Sequence, residues 1–264
     1  MQTIYKPKGK AREYSPLAAN IYKGCDHGCL YCYVPGMFKQ FNKNYNHSDV
    51  QIKPGFIEQL KKDCIKLKNK NQVLLCFSGD PYCMANDEHR ETRKSLLILL
   101  ENEIPVRILT KGGMRCLQDI EIFKQFGKNI SIGATLTFIN ESDSKKWEPG
   151  AALPEERMKT LKILHENNIK TWASLEPVID TKQSLELMGK TIDFIDEYKI
   201  GKLNNYKDLD KKINWSIFLQ SAIDIMEKNN KEYYIKYDLS KEAPYTEIKA
   251  NHRNLDYYNL LWIK

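Results

Sequence analysis

Residues 20–33 read NIYKGCDHGCLYCY, from Asn20 to Tyr33. Cys25, Cys29 and Cys32 stand in a C-x3-C-x2-C spacing within eight residues. Three thiols so close in sequence meet at one centre only if the backbone wraps around it. Gly24 and Gly28 supply the backbone freedom such a wrap needs. A short β-type run, residues 17–22, leads into the loop.

Such a triplet admits three readings: incidental free thiols, a zinc site, or an iron–sulfur cluster. Zinc wants a fourth ligand. The nearby histidine, His27, lies between two of the cysteines, where simultaneous ligation is sterically awkward. A [4Fe–4S] cluster held by three cysteines leaves one iron without a protein ligand. That iron is a place for a substrate or cofactor to bind.

The chain of 264 residues suffices for a full hydrophobic core of barrel size. Its 42% hydrophobic and 28% charged residues are ordinary for a soluble globular protein. No window approaches 18 uninterrupted apolar residues, so no membrane span is expected. The N-terminus carries basic residues without an apolar core segment, so no secretory signal and a cytoplasmic location are expected. Seven cysteines, an odd number, argue against a disulfide framework and for reduced thiols. The net charge of +7 permits a polyanionic partner without demanding one.

Downstream of the cysteine loop, residues 36–54 form a polar, Asn-rich connection. Strands and helices then alternate. Helical periodicity predicts helices over 55–67, 88–101, 116–126, 155–167, 184–196 and 215–228. Apolar or alternating runs predict strands over 73–77, 106–109, 130–138, 170–175, 198–202 and 233–238. The aromatic-rich tail, 254–263, is expected to pack back on the body. Such alternation implies βαβ units and a parallel sheet. Periodicity does not separate a partial barrel from a doubly wound sheet. No linker or repeat interrupts the pattern, so one domain over 1–264 is expected, with a core of about 17–228 and a C-terminal extension, 229–264.

In barrels of parallel strands, function gathers at the C-terminal strand ends. The second strand ends in Ser78-Gly79-Asp80-Pro81-Tyr82, which by itself reads as an Asx-type turn. The third ends in Thr110-Lys111, where an inward lysine needs an anion. The fourth offers Thr135 and Thr137, and the fifth Ser174 and Glu176. Cys76 lies two residues before Ser78, so strand alternation puts both on one face. Cys83 follows Tyr82. Cys64 and Cys116 fall in helices and read as buried structural thiols.

The C-x3-C-x2-C spacing, with Tyr31 just before the last cysteine, resembles the radical S-adenosylmethionine (SAM) superfamily. Ser78-x-Asp80-Pro81-Tyr82, Thr110-Lys111, Glu148-Pro149-Gly150 and Glu156-Arg157 resemble its spore photoproduct lyase branch, which includes DNA repair photolyase-like proteins. The resemblance runs over roughly residues 19–179. It implies an α/β fold, a partial (βα)6 barrel of the radical SAM type with an extra C-terminal segment.

The resemblance also implies a [4Fe–4S] cluster on Cys25, Cys29 and Cys32. S-adenosyl-L-methionine would chelate the fourth iron and be cleaved reductively to a 5′-deoxyadenosyl radical. Ser78 and Asp80 would lie by its amino group and Lys111 by its carboxylate. Its adenine would lie near Tyr31 and Tyr33 and its ribose near Thr135 or Thr137; Ser174 and Glu176 are further cofactor-binding candidates, Glu176 as a ribose ligand or else a helix-capping acid. Cys76 matches a hydrogen-atom-donor position of the branch, and Cys83 is a second candidate.

The function so implied is a lyase-like enzyme acting on a nucleic acid lesion, reduced by a donor such as flavodoxin or ferredoxin. Lys6, Lys8, Lys10, Arg12, Lys39 and Lys43 offer phosphate contacts, and Tyr14, Tyr22, Phe38 and Tyr45 offer stacking rings. Alternatives are a peptide, a tRNA base or a small metabolite as substrate, or a non-catalytic iron–sulfur or zinc-binding protein.

Overall fold

A computed structural model describes residues 2–67 and 71–253. Seven strands form one sheet: Leu17–Ala19 (β1), Val73–Leu75 (β2), Val106–Thr110 (β3), Ile130–Thr135 (β4), Lys170–Val178 (β5), Glu197–Lys202 (β6) and Glu232–Ile235 (β7). Their order in space is their order in sequence, and every pair is parallel. Each crossover carries a helix: Phe56–Lys66 (α1), Glu91–Glu101 (α2), Ile120–Phe126 (α3), Pro154–Glu166 (α4), Thr181–Thr191 (α5) and Trp215–Lys228 (α6). This is the expected (βα)6 progression, with β7 added at the far edge. The aromatic tail, 254–263, lies outside the described residues. No described helix is long and apolar enough to cross a membrane.

Local chemistry sets the element ends. Pro154 opens α4, with Glu155 and Glu156 in the first turn beside the helix's orphan N–H groups. The Asp180 carboxylate caps α5 by accepting from the Lys182 and Gln183 amides, and the Asn214 side chain accepts from Ile217 N. Three boundaries differ from the periodic reading. The helix expected over 88–101 breaks at Arg90 (φ 55°), so Met84–His89 is a separate short helix. Residues Gly113–Asp119 wind as a 3-10 helix before α3. The first strand stops at Ala19, and Tyr22–Lys23 turns away to pair antiparallel with Gln51–Ile52.

One sheet face packs on the helices. Val106, Ile108, Ile130, Ile132, Ala173, Leu175, Tyr198 and Ile200 from alternate strand positions join Leu60, Leu96, Phe123, Leu161, Leu187 and Phe218 in the main core. The positions between them face inward and carry charge. Arg107 makes a bidentate pair with Glu197 at 2.8 and 3.1 Å, both fully buried, and its guanidinium lies 3.9 Å from the Trp172 ring centroid. Lys199, also buried, donates to the Glu13 carbonyl at 2.7 Å. Burial, then Arg107, pushes Lys199 down to about 7.

The N-terminal segment spans the gap between the sheet's two edges. Tyr5 bridges Ala18 on the open side of β1. Beyond it, the Glu13 carboxylate accepts from the Tyr234 hydroxyl at 3.0 Å and the Tyr237 amide at 2.8 Å, at the end of β7. Tyr14 fills the space between, its ring against Phe77 and Trp172.

Burial alone would raise the Glu197 carboxyl, but Arg107 and Lys199 outweigh it and hold it below the usual range. A carboxyl depressed on folding stabilises the fold above its unfolded value, and this contribution is lost as pH falls through the folded one. Glu197→Gln leaves Arg107 without its counter-charge. Denaturant unfolding at neutral pH should show a loss of about 3–5 kcal/mol relative to wild type. The gap should narrow below pH ~4.3, where the unfolded wild type takes up the proton. Equal unfolding curves at neutral pH would contradict this account.

Candidate functional site

The cysteine loop leaves the end of β1 and is clamped from both sides. Gly24 has φ 94°, and a Cβ there would meet the carbonyls of Asp49 and His47 at 2.6 and 2.7 Å. The Cys25 amide donates to the His47 carbonyl at 2.7 Å. On the other side, Leu30 N donates to Trp147 O and Gly150 N to His27 O, each at 2.9 Å. A Cβ at Gly150 would sit 2.3 Å from Asp26 O, so backbone lies directly on backbone there. The Glu148-Pro149-Gly150 step is thus the platform on which the loop rests.

Cys25, Cys29 and Cys32 are half-buried and free of disulfides, as are the other four cysteines. Burial pushes all three thiols up, with Asp80 adding to the effect at Cys25, while Lys111 opposes the rise at each. Lys111 itself would be pushed down by burial, but Cys29 and Glu148 outweigh that and raise it. Its Nζ lies 5.5 Å from the centroid of the Tyr31 ring.

Asp80 lies underneath. Its carboxylate accepts from Tyr82 N at 2.8 Å, Thr110 Oγ1 at 2.6 Å and Lys111 N at 2.7 Å, and stands 3.5 Å from His27 Nδ1. Asp80, expected beside the SAM amino group, ties the turn after β2 and the end of β3 to the cysteine loop. The other His27 nitrogen is 3.1 Å from the Arg115 guanidinium. Ser78 is half-buried, its amide held with that of Phe77 by the Asn20 side chain at 3.0 and 2.7 Å.

Glu148 anchors a second buried group. It accepts from Arg157 at 2.5 Å, from Thr137 Oγ1 at 3.2 Å and from the Tyr31 hydroxyl. Burial would raise its carboxyl, but Arg157 and Lys111 outweigh it and keep it ionised. Arg157 also donates to the carbonyls of Thr135 and Ala152, at 2.9 and 2.7 Å. Tyr31 and Thr135 are thus joined to one network beside the cysteines, whereas Tyr33 is 51% exposed on the rim. Ser174 and Glu176 belong to a third group. The Tyr14 hydroxyl lies 3.0 Å from Ser174 Oγ and donates to Glu176 at 2.5 Å, and Lys236 pairs with Glu176.

The strand alternation expected to put Cys76 beside Ser78 does not hold, because β2 ends at Leu75. Cys76 packs in the helix-side core, and its Sγ accepts from Ile21 N at 3.4 Å. Cys83 is fully buried in the same core. Tyr14, Tyr22 and Tyr45, expected as stacking rings, are buried as well.

Sequence reading passed over Glu13, Arg107, Glu197, Lys199 and Lys236. For Arg107, Glu197 and Lys199, charge within otherwise apolar strands was the available signal. It also gave no role to Glu148, Arg157 and Asn20.

The donor set fits an iron–sulfur cluster. Three sulfurs project from one wrapped loop, a cation stands beside them, and both nitrogens of His27 are engaged elsewhere. Cys25, Asp26 and His27 also bring their ligand atoms within 4.8 Å of one another, but a metal there would have to displace the contacts of His27 with Asp80 and Arg115.

Comparison with known proteins agrees. The Radical SAM superfamily model matches residues 19–195. An uncharacterized protein of Methanocaldococcus jannaschii is 31% identical over 186 residues, 70% of this chain and 69% of that protein. Among solved structures, Streptococcus suis SuiB bound to S-adenosylmethionine superposes with a TM-score of 0.66 at 16% identity. That match covers 88% of this chain and 53% of SuiB, so the chain spans about half of SuiB's length. A spore photoproduct lyase mutant with bound AdoMet and dinucleoside spore photoproduct gives 0.63 at 10% identity, covering 84% of this chain and 76% of that one. The structural likenesses establish the fold.

Gly150→Ala tests the platform. The added methyl meets backbone that has no side-chain freedom to yield, so the cysteine loop must move. The unfolding free energy should fall by about 1–3 kcal/mol, and iron bound per chain after anaerobic reconstitution should drop well below wild type. Full iron loading in the variant would remove the platform role.

Proposed function

The chain belongs to the Radical SAM superfamily, and on that premise we propose that it cleaves S-adenosylmethionine reductively to start radical chemistry on a nucleic acid lesion. The observation that carries this reading is the placement of Cys25, Cys29 and Cys32 on a clamped loop at the C-terminal strand ends, with the charged Lys111 beside them. The family uses a [4Fe–4S] cluster and S-adenosylmethionine. When bound and reduced, the cluster supplies the electron that breaks the SAM carbon–sulfur bond.

The chain's own groups divide the remaining work. The three cysteines hold the cluster. The Lys111 ammonium faces the same space and offers the SAM carboxylate a charge-assisted contact. Asp80 fixes the Lys111 backbone, and Glu148 fixes the Tyr31 ring, so both stand ready before the ligand arrives. The Ser78 hydroxyl, in the turn that follows β2, is offered to the amino group.

The substrate reading rests on the rim beside the cluster loop. Tyr33, Met37 and Phe41 are exposed there at 51%, 39% and 84%, next to the exposed Lys39 and Lys43. Rings with lysines between them suit bases and phosphates. They take over the role that the buried Tyr14, Tyr22 and Tyr45 do not fill. A precursor peptide, which SuiB binds, is the competing substrate class.

Three measurements test this reading. Alanine at Cys25, Cys29 or Cys32 should abolish four-iron loading, and retained loading in any one would refute the ligand set. Lys111→Ala loses about 1.5–3 kcal/mol of contact, so SAM affinity should fall at least about tenfold. Formation of 5′-deoxyadenosine should be screened with UV-irradiated DNA, RNA and peptide pools. Stimulation by the peptide pool alone would move the substrate to that class.

A further inference from the structure

Resting on the assignment of Cys32 as a cluster ligand, we propose that His47 is a positioning residue that donates a hydrogen bond to the Cys32 sulfur and thereby raises the cluster's reduction potential. His47 comes from the polar connection between the cysteine loop and α1. It is half-buried and is held from two directions. Its carbonyl accepts from Cys25 N at 2.7 Å, so its backbone is fixed to the start of the cysteine loop. Its ring lies between two partners: Nδ1 is 2.9 Å from the Tyr45 hydroxyl, and Nε2 is 4.0 Å from Cys32 Sγ. Tyr45 is itself buried, packed against Phe38 at a tilt of 32° with ring centroids 4.8 Å apart.

The ring's proton placement follows from what it faces. A ligating cysteine is a thiolate and offers only lone pairs. A bare Nε2 lone pair pointed at that sulfur would be repelled, so the neutral ring carries its proton on Nε2. Nδ1 then accepts from the Tyr45 hydroxyl. The Tyr45 hydroxyl thus holds the tautomer that the sulfur favours, and His47 donates N–H to sulfur. Such a bond withdraws charge from the thiolate. It favours the reduced, more negative cluster over the oxidised one, which raises the potential. The same contact links the first and last cysteines of the triplet through one residue.

The test is an anaerobic redox titration of the reconstituted protein followed by electron paramagnetic resonance, with iron counted in parallel. His47→Ala should keep four irons per chain, and its potential should move to a more negative value. A shift of about 59 mV corresponds to a tenfold fall in the reduced-to-oxidised ratio at fixed potential. His47→Gln, whose amide N–H reaches the place of Nε2, should restore most of the shift. Tyr45→Phe should move the potential in the same direction as His47→Ala, by less. An unchanged potential in His47→Ala with iron intact overturns the proposal and leaves the cluster assignment standing. Loss of iron in both His47→Ala and His47→Gln makes His47 a ligand or a scaffold residue, and also overturns it. A wild-type chain that takes up no four-iron cluster overturns both readings together.

Discussion

The Asp80 carboxylate joins three segments that strand pairing alone would leave independent. It accepts from Tyr82 in its own turn, from Thr110 and Lys111 at the end of the next strand, and lies against His27 between two of the cysteines. A carboxylate sharing several donors is strongly held in place. Through it, the sheet sets where the thiols stand relative to Lys111. The Glu148–Arg157 pair does the matching work from above, fixing Tyr31 and carrying the backbone step on which His27 and Leu30 rest. The cysteine loop is therefore held between two ionic centres, neither of which supplies a thiol.

Much of this architecture was legible in the residues. Apolar runs such as Val73–Leu75 and the helical spacing through Leu60, Leu161 and Phe218 report directly on burial, and burial is what periodicity records. The cysteine spacing named the centre because ligand geometry is local. The inner sheet face was not legible. Arg107 and Glu197 are 90 residues apart, and nothing in either strand says that the other will neutralise it. Cys76 was misplaced for a related reason. Alternation holds only while a strand is paired, and the pairing stops one residue earlier, at Leu75. His47 was hidden because a polar, Asn-rich connection gives no periodic signal, though its ring ends beside Cys32.

The inner face also shows how a parallel sheet tolerates charge. Arg107 and Lys199 are matched by Glu197, and Lys236 by Glu176 and Glu13, and aromatic rings from Trp172, Tyr14 and Tyr234 fill the gaps. Removing one member strands its partner in a low-dielectric space. The arrangement therefore resists piecemeal change.

The bond between Glu13 and the far edge of the sheet has a consequence for biosynthesis. Glu13 leaves the ribosome early, but its partners Tyr234 and Tyr237 lie 221 and 224 residues later. At ordinary translation speeds that separation is roughly 10–45 s. Throughout this interval the seam between the first and last strands stays unsealed. The cysteine loop, by contrast, has its His47, Trp147 and Gly150 supports within the first 150 residues. The backbone supports of the cysteine loop are thus synthesised well before the residues that close the wall behind it.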